Sequence, residues 1–451
     1  MKMVSTKTSA FKSQMIVNEN YSLILVMFNC ALLVHFLLAG KGIFFITVCI
    51  LLFNYRLWVF SLINIFSAVI LLAFAFPRQG NHANLELFIG LLFICLFVFK
   101  LLNLKVNITP ANVSTCFRVF TVSVYFYAGF HKLNWDFFDT SVSCANVYGD
   151  GLINKILNTE SFSLPEPLKV FFPYGTIFVE MFIPLGLLWY RSRRLVAILL
   201  LIFHLYLAMY SFANFSSFAC FLLAGCTIDF GSRVQKQTLQ GLKFYIITTL
   251  FCALLNVTRL IQVPFSTHVL IIIFGASFCI GAASFFFMFF KNYRIAKFET
   301  EKKNVSMVLL VFTLVSAWAL KSYAGLGTSG NLTMFSNLVT ERNRSNHLFI
   351  NTTKTKIWDF EEDHVLIIKL DDRLERYKEE WENNLVPLTE LSFIINEWNE
   401  NKVPLGCTLK YQGKVFVIKD LKNSDFSNYK WWYKFVSFRA IQVHGPNKCR
   451  W

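Results

Sequence analysis

The chain has 451 residues, of which 55% are hydrophobic and 16% charged, with a mean hydropathy of +0.50 and a net charge of +16. Soluble domains carry about 25% charged residues, so this composition excludes both a disordered chain and an ordinary soluble enzyme. Residues 351–451 hold 16 Lys/Arg against 15 Asp/Glu, whereas residues 1–350 hold 27 against 12. A basic excess confined to the apolar part reads as Lys and Arg in loops between membrane helices. It does not read as a nucleic-acid patch on a soluble domain.

Residues 1–20 are mostly polar and exceed the basic leader of a cleavable signal, so the first apolar run is expected to stay as an anchor. Apolar runs of spanning length follow at 21–39, 57–76, 83–102, 113–130, 168–190, 241–261, 266–290 and 305–324. Residues 43–54 are short for a span. Residues 195–226 are too long for one pass and carry a polar interruption, Ser211-Phe212-Ala213-Asn214-Phe215-Ser216-Ser217, which reads as two half-helices with a break. The expectation is a mainly α, polytopic bundle over 21–325, with about eight to eleven membrane segments, one of them broken.

Basic junctions set an orientation. Lys2, Lys7 and Lys12, then Arg56, Lys100 and Lys105, Arg191 to Arg194, Arg233 to Lys243, and Lys291 to Lys303 all fall on one side if 43–54 crosses and 195–226 enters and leaves. The N-terminus is then cytoplasmic. The loops at 77–82 and 131–167, and everything after 325, lie outside, in a bacterial inner membrane or a eukaryotic endomembrane.

Residues 326–350 form a membrane-proximal motif segment, and 351–451 change composition to that of a small α+β extracytoplasmic domain. There the pattern predicts a strand at 364–370 and helices at 373–384 and 388–398. It also predicts a hairpin over 406–420 turning at Gln412-Gly413, and a strand at 431–443. The Trp431-Trp432-Tyr433-Lys434-Phe435 run has a second reading, as aromatic contact with the bilayer interface. None of the eleven cysteines has zinc-like spacing, so no metal site is expected. In an exported tail, Cys407 and Cys449 could form a disulfide.

Ionisable groups at membrane depth are costly and therefore functional candidates. Asn81-His82 opens a helix, with a helix cap and a wet loop histidine as the plain alternative. Lys132 ends a span at an outer face, where the orientation rule gives no reason for lysine; the alternative is a snorkelling side chain. Small Ala128 and Gly129 allow close helix packing beside it. Glu180 and His204 lie mid-span and could hydrogen-bond each other, for structure or for chemistry. The stretch from Asn331 through Asn337 to His347 is rich in Asn, Arg and His where it leaves the membrane, beyond what a linker needs. His82, Lys132 and this segment reach one membrane face, which points to an outward-facing site. Motifs for ATP-driven transport or zinc hydrolysis are missing, and no matching halves suggest an inverted-repeat transporter.

At these residues the chain resembles the vitamin K-dependent gamma-carboxylase family and its HTTM-domain relatives. Tyr55-Arg56 followed by Asn81-His82-Ala83-Asn84-Leu85 is similar to one carboxylase stretch. The run Tyr125-Phe126-Tyr127-Ala128-Gly129-Phe130-His131-Lys132-Leu133-Asn134-Trp135-Asp136 is similar to another, and Phe203-His204 before Phe212–Phe218 to a third. Met334-Phe335-Ser336-Asn337 to Ser345-Asn346-His347 resembles the HTTM relatives. The resemblance implies a reduced quinone of the vitamin K type as cofactor. Lys132 would be the base that deprotonates it, His82 would assist, and Asn81, Glu180, His204, Asn337 and His347 would support them. It differs in a short tail, in Asn134 for Asp, in His131 for Lys and in the shifted Trp135. The expected function is a quinone-linked oxygenase/carboxylase of the lyase type. The alternative is a non-enzymatic membrane factor that matures, exports or confers immunity to a secreted peptide, with the tail as its contact surface.

Overall fold

A computed structural model of the chain describes residues 19–37, 42–102, 109–210, 213–228, 234–260, 267–292, 305–341, 344–398 and 404–449. The helices of the apolar part are α1 (Glu19–Leu37), α2 (Gly42–Phe53), α3 (Trp58–Ala75), α4 (Asn81–Leu101), α5 (Pro110–Phe130) and α6 (Cys144–Leu157). They continue as α7 (Glu166–Ile177), α8 (Arg193–Tyr210), α9 (Ala213–Thr227), α10 (Lys236–Leu260), α11 (Thr267–Asn292) and α12 (Val305–Leu320). Among the described residues eight helices are long and apolar enough to cross a membrane. This is a multi-pass membrane protein with a small sheet domain at its C-terminal side.

Sequence explains which faces meet. On α3, Val59, Ile63, Phe66, Ile70 and Phe74 are exposed at helical spacing, while Ser61, Ile65, Ala68 and Leu72 are buried. That is one lipid-facing stripe and one packing stripe. Helix α1 has no polar face and is buried from Leu23 through Val34, so it runs through the bundle interior. The long run at 195–226 is indeed two helices, α8 and α9, with Ser211 and Phe212 outside the described residues. Ser216 Oγ of α9 donates to the His204 carbonyl of α8 at 2.8 Å.

Helix α7 does not end simply. It passes into a π-helical turn at Phe178–Phe182 and a 3-10 stretch at Ile183–Leu188. Pro184 has no N–H to give to the Glu180 carbonyl four residues back, so the α ladder cannot continue there. The register shift falls on Glu180, the mid-span carboxylate.

In the tail, β1 (His364–Leu370), α13 (Glu375–Trp381), β2 (Asn384–Pro387), α14 (Leu388–Trp398), β3 (Cys407–Tyr411), β4 (Lys414–Ile418) and β5 (Ile441–Gln442) build a sheet of order β4-β3-β1-β2-β5. Its described pairings are antiparallel. Val365, Ile367, Val386, Leu391, Ile395 and Leu409 form its core. The β3–β4 turn sits where expected, with positive φ at both Gln412 and Gly413, the geometry of a tight hairpin.

Three expectations for the tail need correction. The helix at 373–384 is only Glu375–Trp381, and the residues after it extend into β2. The strand at 431–443 is a 3-10 turn at Trp431–Phe435 followed by a two-residue strand. Its backbone is held by the bundle and the membrane-proximal segment instead of a ladder. Arg78 donates to the carbonyls of Tyr433, Lys434 and Val436, and the Ser437 carbonyl accepts from Thr328 and Ser329. Groups so occupied cannot pair with a neighbouring strand. The third correction is the disulfide. Cys449 bonds Cys144, the first residue of α6, with Cα atoms 4.8 Å apart, while Cys407 is a free buried residue of the sheet core.

Candidate functional site

The site is built where α5 and the irregular part of α7 approach closely. A Cβ on Gly129 would lie 2.4 Å from Met181 Cγ and 3.2 Å from Glu180 Cβ, so only glycine permits this approach. One turn later on the chain, Lys132 is buried and its Nζ lies 2.7 Å from Glu180 Oε2. The same ammonium donates to the Ala128 carbonyl at 3.1 Å. The expected Glu180–His204 pair is therefore not made. Glu180 pairs with Lys132, and His204 Nε2 meets the Tyr125 hydroxyl of α5. The physical reason is charge: a buried carboxylate gains more from a cation than from a neutral ring.

His82 enters from α4. A Cβ at Gly80 would lie 2.9 Å from His82 Cε1, so the imidazole folds back over Gly80. Its ring lies 5.1 Å from that of His35 on α1 and 6.3 Å from that of Phe215 on α9. His35 Nδ1 is 2.5 Å from Glu86 Oε2, and Glu86 is fully buried. This second carboxylate pair was half-visible in the sequence. Glu86 follows His82 by one turn, and His35 is an ionisable group in an apolar run. The contact between them needs the fold.

These elements enclose a cavity of about 600 Å³. Asn81, His82, Lys132 and Glu180 line it, with Tyr148, Thr176 and Tyr206, among otherwise apolar walls. Leu332, Met334 and Phe335 of the membrane-proximal segment, with Phe137, Cys144 and Ala145, supply a further apolar wall, a roof on the tail side. Phe171 and Phe178 also line it and are 65% and 58% exposed. Both belong to the span that runs through α7, so on that flank the cavity reaches the bundle's outer surface.

The remaining residues singled out in the sequence hold the roof. Asn81 Oδ1 accepts from Leu332 N–H, and Asn84 Nδ2 donates to the carbonyls of Pro77 and Gly330. Gly330 has φ +74 and Asn84 Nδ2 beside it, so a side chain there is excluded twice. Asn337 Oδ1 accepts from Cys144 N–H, and its Nδ2 donates to the carbonyls of Val142 and Asn447. His347 Nδ1 accepts from the backbone N–H of Phe349 and Ile350, so Nε2 carries the proton donated to the Phe130 carbonyl at 3.0 Å. Asn337 and His347 do not line the cavity. His131, just past α5, is fully buried against the Tyr323 hydroxyl, and burial, with His347 nearby, pushes its pKa down to about 3.

The DoxX family matches residues 113–213. That stretch runs from α5 to just past α8 and contains Tyr125, Lys132, Glu180 and His204, but not His82, Glu86 or the tail. No curated protein and no solved structure matches the chain.

Proposed function

We propose that the protein is a membrane enzyme acting on a lipid-soluble, oxygen-bearing ring compound of the quinone class. Lys132, Glu180 and His82 would be its proton-handling groups, with an outward-facing site, a cytoplasmic N-terminus and the tail outside. One observation carries the reading. Asn81, His82, Lys132 and Glu180, from three different spans or span ends, line a single apolar cavity that reaches the lipid-facing surface. An apolar molecule enters such a space from the bilayer without crossing water.

The donor set fits a quinone. Aromatic and aliphatic walls suit its ring and tail, and the few polar groups suit its oxygens. When bound, a reduced quinone supplies two electrons and two hydroxyl protons. The chain's own part is proton traffic. Lys132 Nζ and Glu180 Oε2 share a short charge-assisted contact, so a proton can move between ammonium, carboxylate and a ligand oxygen with little rearrangement. In this reading Lys132 does not act alone. Paired with Glu180 it is a cation that orients an oxygen, and the pair together is the base. His82 adds a second donor or acceptor from α4. An apolar site that opens to lipid and not to water strengthens each of these contacts.

Mass spectrometry of organic extracts of the purified protein tests the reading. A quinone at near-stoichiometric amount in wild type, and its loss in Lys132→Met/Glu180→Met, is expected. Extracts holding only bulk phospholipid from both would overturn it. They would favour a non-enzymatic factor that handles a secreted peptide through its tail.

A further inference from the structure

Several large apolar side chains of the extramembrane part are exposed. Trp431 is 73%, Phe435 47%, Ile357 70%, Trp358 39%, Phe349 74% and Trp135 69% exposed. Ile368, Val415, Phe416 and Val417 of the sheet are exposed as well, but these six share one location. Each lies within a few residues of a hydrogen bond to the end of a spanning or apolar helix. Lys434 Nζ donates to the Phe74 carbonyl, one residue before α3 ends. The backbone N–H groups of Ile357 and Trp358 donate to the Ala324 carbonyl, four residues past α12. Leu348 N–H donates to the Leu133 carbonyl and Trp135 N–H to the Asn346 carbonyl, just past α5.

The first two groups are continuous. Phe360 packs on Trp432 with ring centroids 4.9 Å apart, joining the 357–360 segment to the 431–435 turn. Beneath them the helix ends join too, since Phe76 stacks on Trp318 at 5.4 Å. Phe74, directly below the turn, is 75% exposed on the lipid-facing stripe of α3. The exposed apolar surface of the tail thus continues that of the spans, at the level where the spans stop.

We propose that this collar is seated in the interfacial zone of the bilayer leaflet on the tail side, so that the tail lies on the membrane and is not a freely hydrated domain. The occupant is lipid, for three reasons. The tethers fix the height of these residues at the span ends. Trp, with its apolar ring and N–H, suits the headgroup boundary. The surface below is already lipid-covered. A tail held this way keeps the roof of the cavity at the water boundary, leaving the lipid flank at Phe171 and Phe178 as the open side.

The experiment uses the full chain in nanodiscs of phosphatidylcholine with 20% phosphatidylglycerol. The photo-crosslinking residue p-benzoylphenylalanine is placed singly at Phe435, Ile357, Phe349 or Val417. Val417 is 78% exposed on β4, whose described hydrogen bonds are to β3 alone. Intact-mass analysis under non-reducing conditions checks that Cys144–Cys449 has formed in each. Lipid adducts at least tenfold more abundant at 435, 357 and 349 than at 417 are expected. Equal yields at all four sites, or protein adducts replacing lipid adducts at the first three, would overturn the proposal. As a second measurement, Trp431→Ser/Phe435→Ser should raise amide exchange of the 431–436 turn and leave β1–β3 exchange unchanged. Unchanged exchange at the turn would count against it equally.

Discussion

The bundle and the tail each bury a lysine–glutamate pair, and the two pairs sit in different surroundings. Lys132–Glu180 lies at a cavity wall, between two spans, in the stretch the DoxX family matches. Lys356–Glu361 lies in the tail, nearly without exposure, with Lys356 also donating to the Thr340 carbonyl. Both must be paired to be buried at all. The first lines the cavity of about 600 Å³, whereas the second lines neither that cavity nor the one between the 338–346 and 439–447 segments. Burial of a charge alone therefore says little about function. A buried charge that also lines a space large enough for a ligand says much more.

The largest effects separate these roles. Lys132→Ala and Lys356→Ala should each cost about 3–5 kcal/mol, because each strands a buried carboxylate. Thermal unfolding in nanodiscs checks this. The double variants Lys132→Met/Glu180→Met and Lys356→Met/Glu361→Met should recover most of that loss, since apolar replacement of a buried pair is often neutral. Only the first double variant should lose bound ligand. If the tail variant loses it equally, the contrast fails.

Next comes the bond that joins the two regions. Cys144→Ser should cost about 2–5 kcal/mol, seen as a lower melting temperature. Cys407→Ser should leave the Cys144–Cys449 link intact in a non-reduced peptide map. A map showing Cys407–Cys449 would break the account of how the tail docks.

Acid should loosen the seam between the regions before it touches the sheet. His131 stays neutral when folded, with its pKa pushed from near 6.5 to about 3 by burial, and His347 is lowered for the same reason. A depressed value means the stabilisation is full above pH 6.5 and is lost as pH falls toward 3. For His131 the slope is about 1.4 kcal/mol per pH unit. A His131→Asn variant should show a flatter melting-temperature profile between pH 7 and 5 than wild type.

The smallest expected effect is at Gly80. Gly80→Ala brings a methyl against the His82 ring. It should cost about 1 kcal/mol and weaken ligand binding several-fold, in a titration on the purified protein. Unchanged affinity would remove His82 from the binding set.

Much of the bundle was legible because lipid makes polarity expensive. Segments 57–76 and 113–130 were recovered closely as Trp58–Ala75 and Pro110–Phe130, since few residues interrupt them. The broken run at 195–226 was visible from its serines. The close packing at Gly129 was expected from its small neighbours, and its contact with Met181 and Glu180 bears that out. Partner choice was not legible. By sequence Glu180 could take Lys132 or His204, and only geometry decides that it takes the lysine. His35–Glu86 spans 51 residues and has no local signature.

In the tail the same reasoning worked where structure is local and failed where it is not. The 406–420 hairpin follows from its turn and alternation. The 431–443 stretch alternates as well, but Arg78 of the bundle and Thr328 of the membrane-proximal segment occupy its backbone groups. The pairing of Cys449 with Cys144 joins residues 305 positions apart. No spacing rule reaches that far.

The proposed occupant of the Lys132–Glu180 cavity is a lipid-soluble ring compound drawn from the bilayer. The most direct measurement is a titration of wild type and Lys132→Met/Glu180→Met in nanodiscs with a naphthoquinone, reading tryptophan quenching. Saturable binding to wild type, weakened at least tenfold in the double variant of unchanged melting temperature, is the predicted result. Equal binding by both proteins, or none by wild type, would contradict the claim.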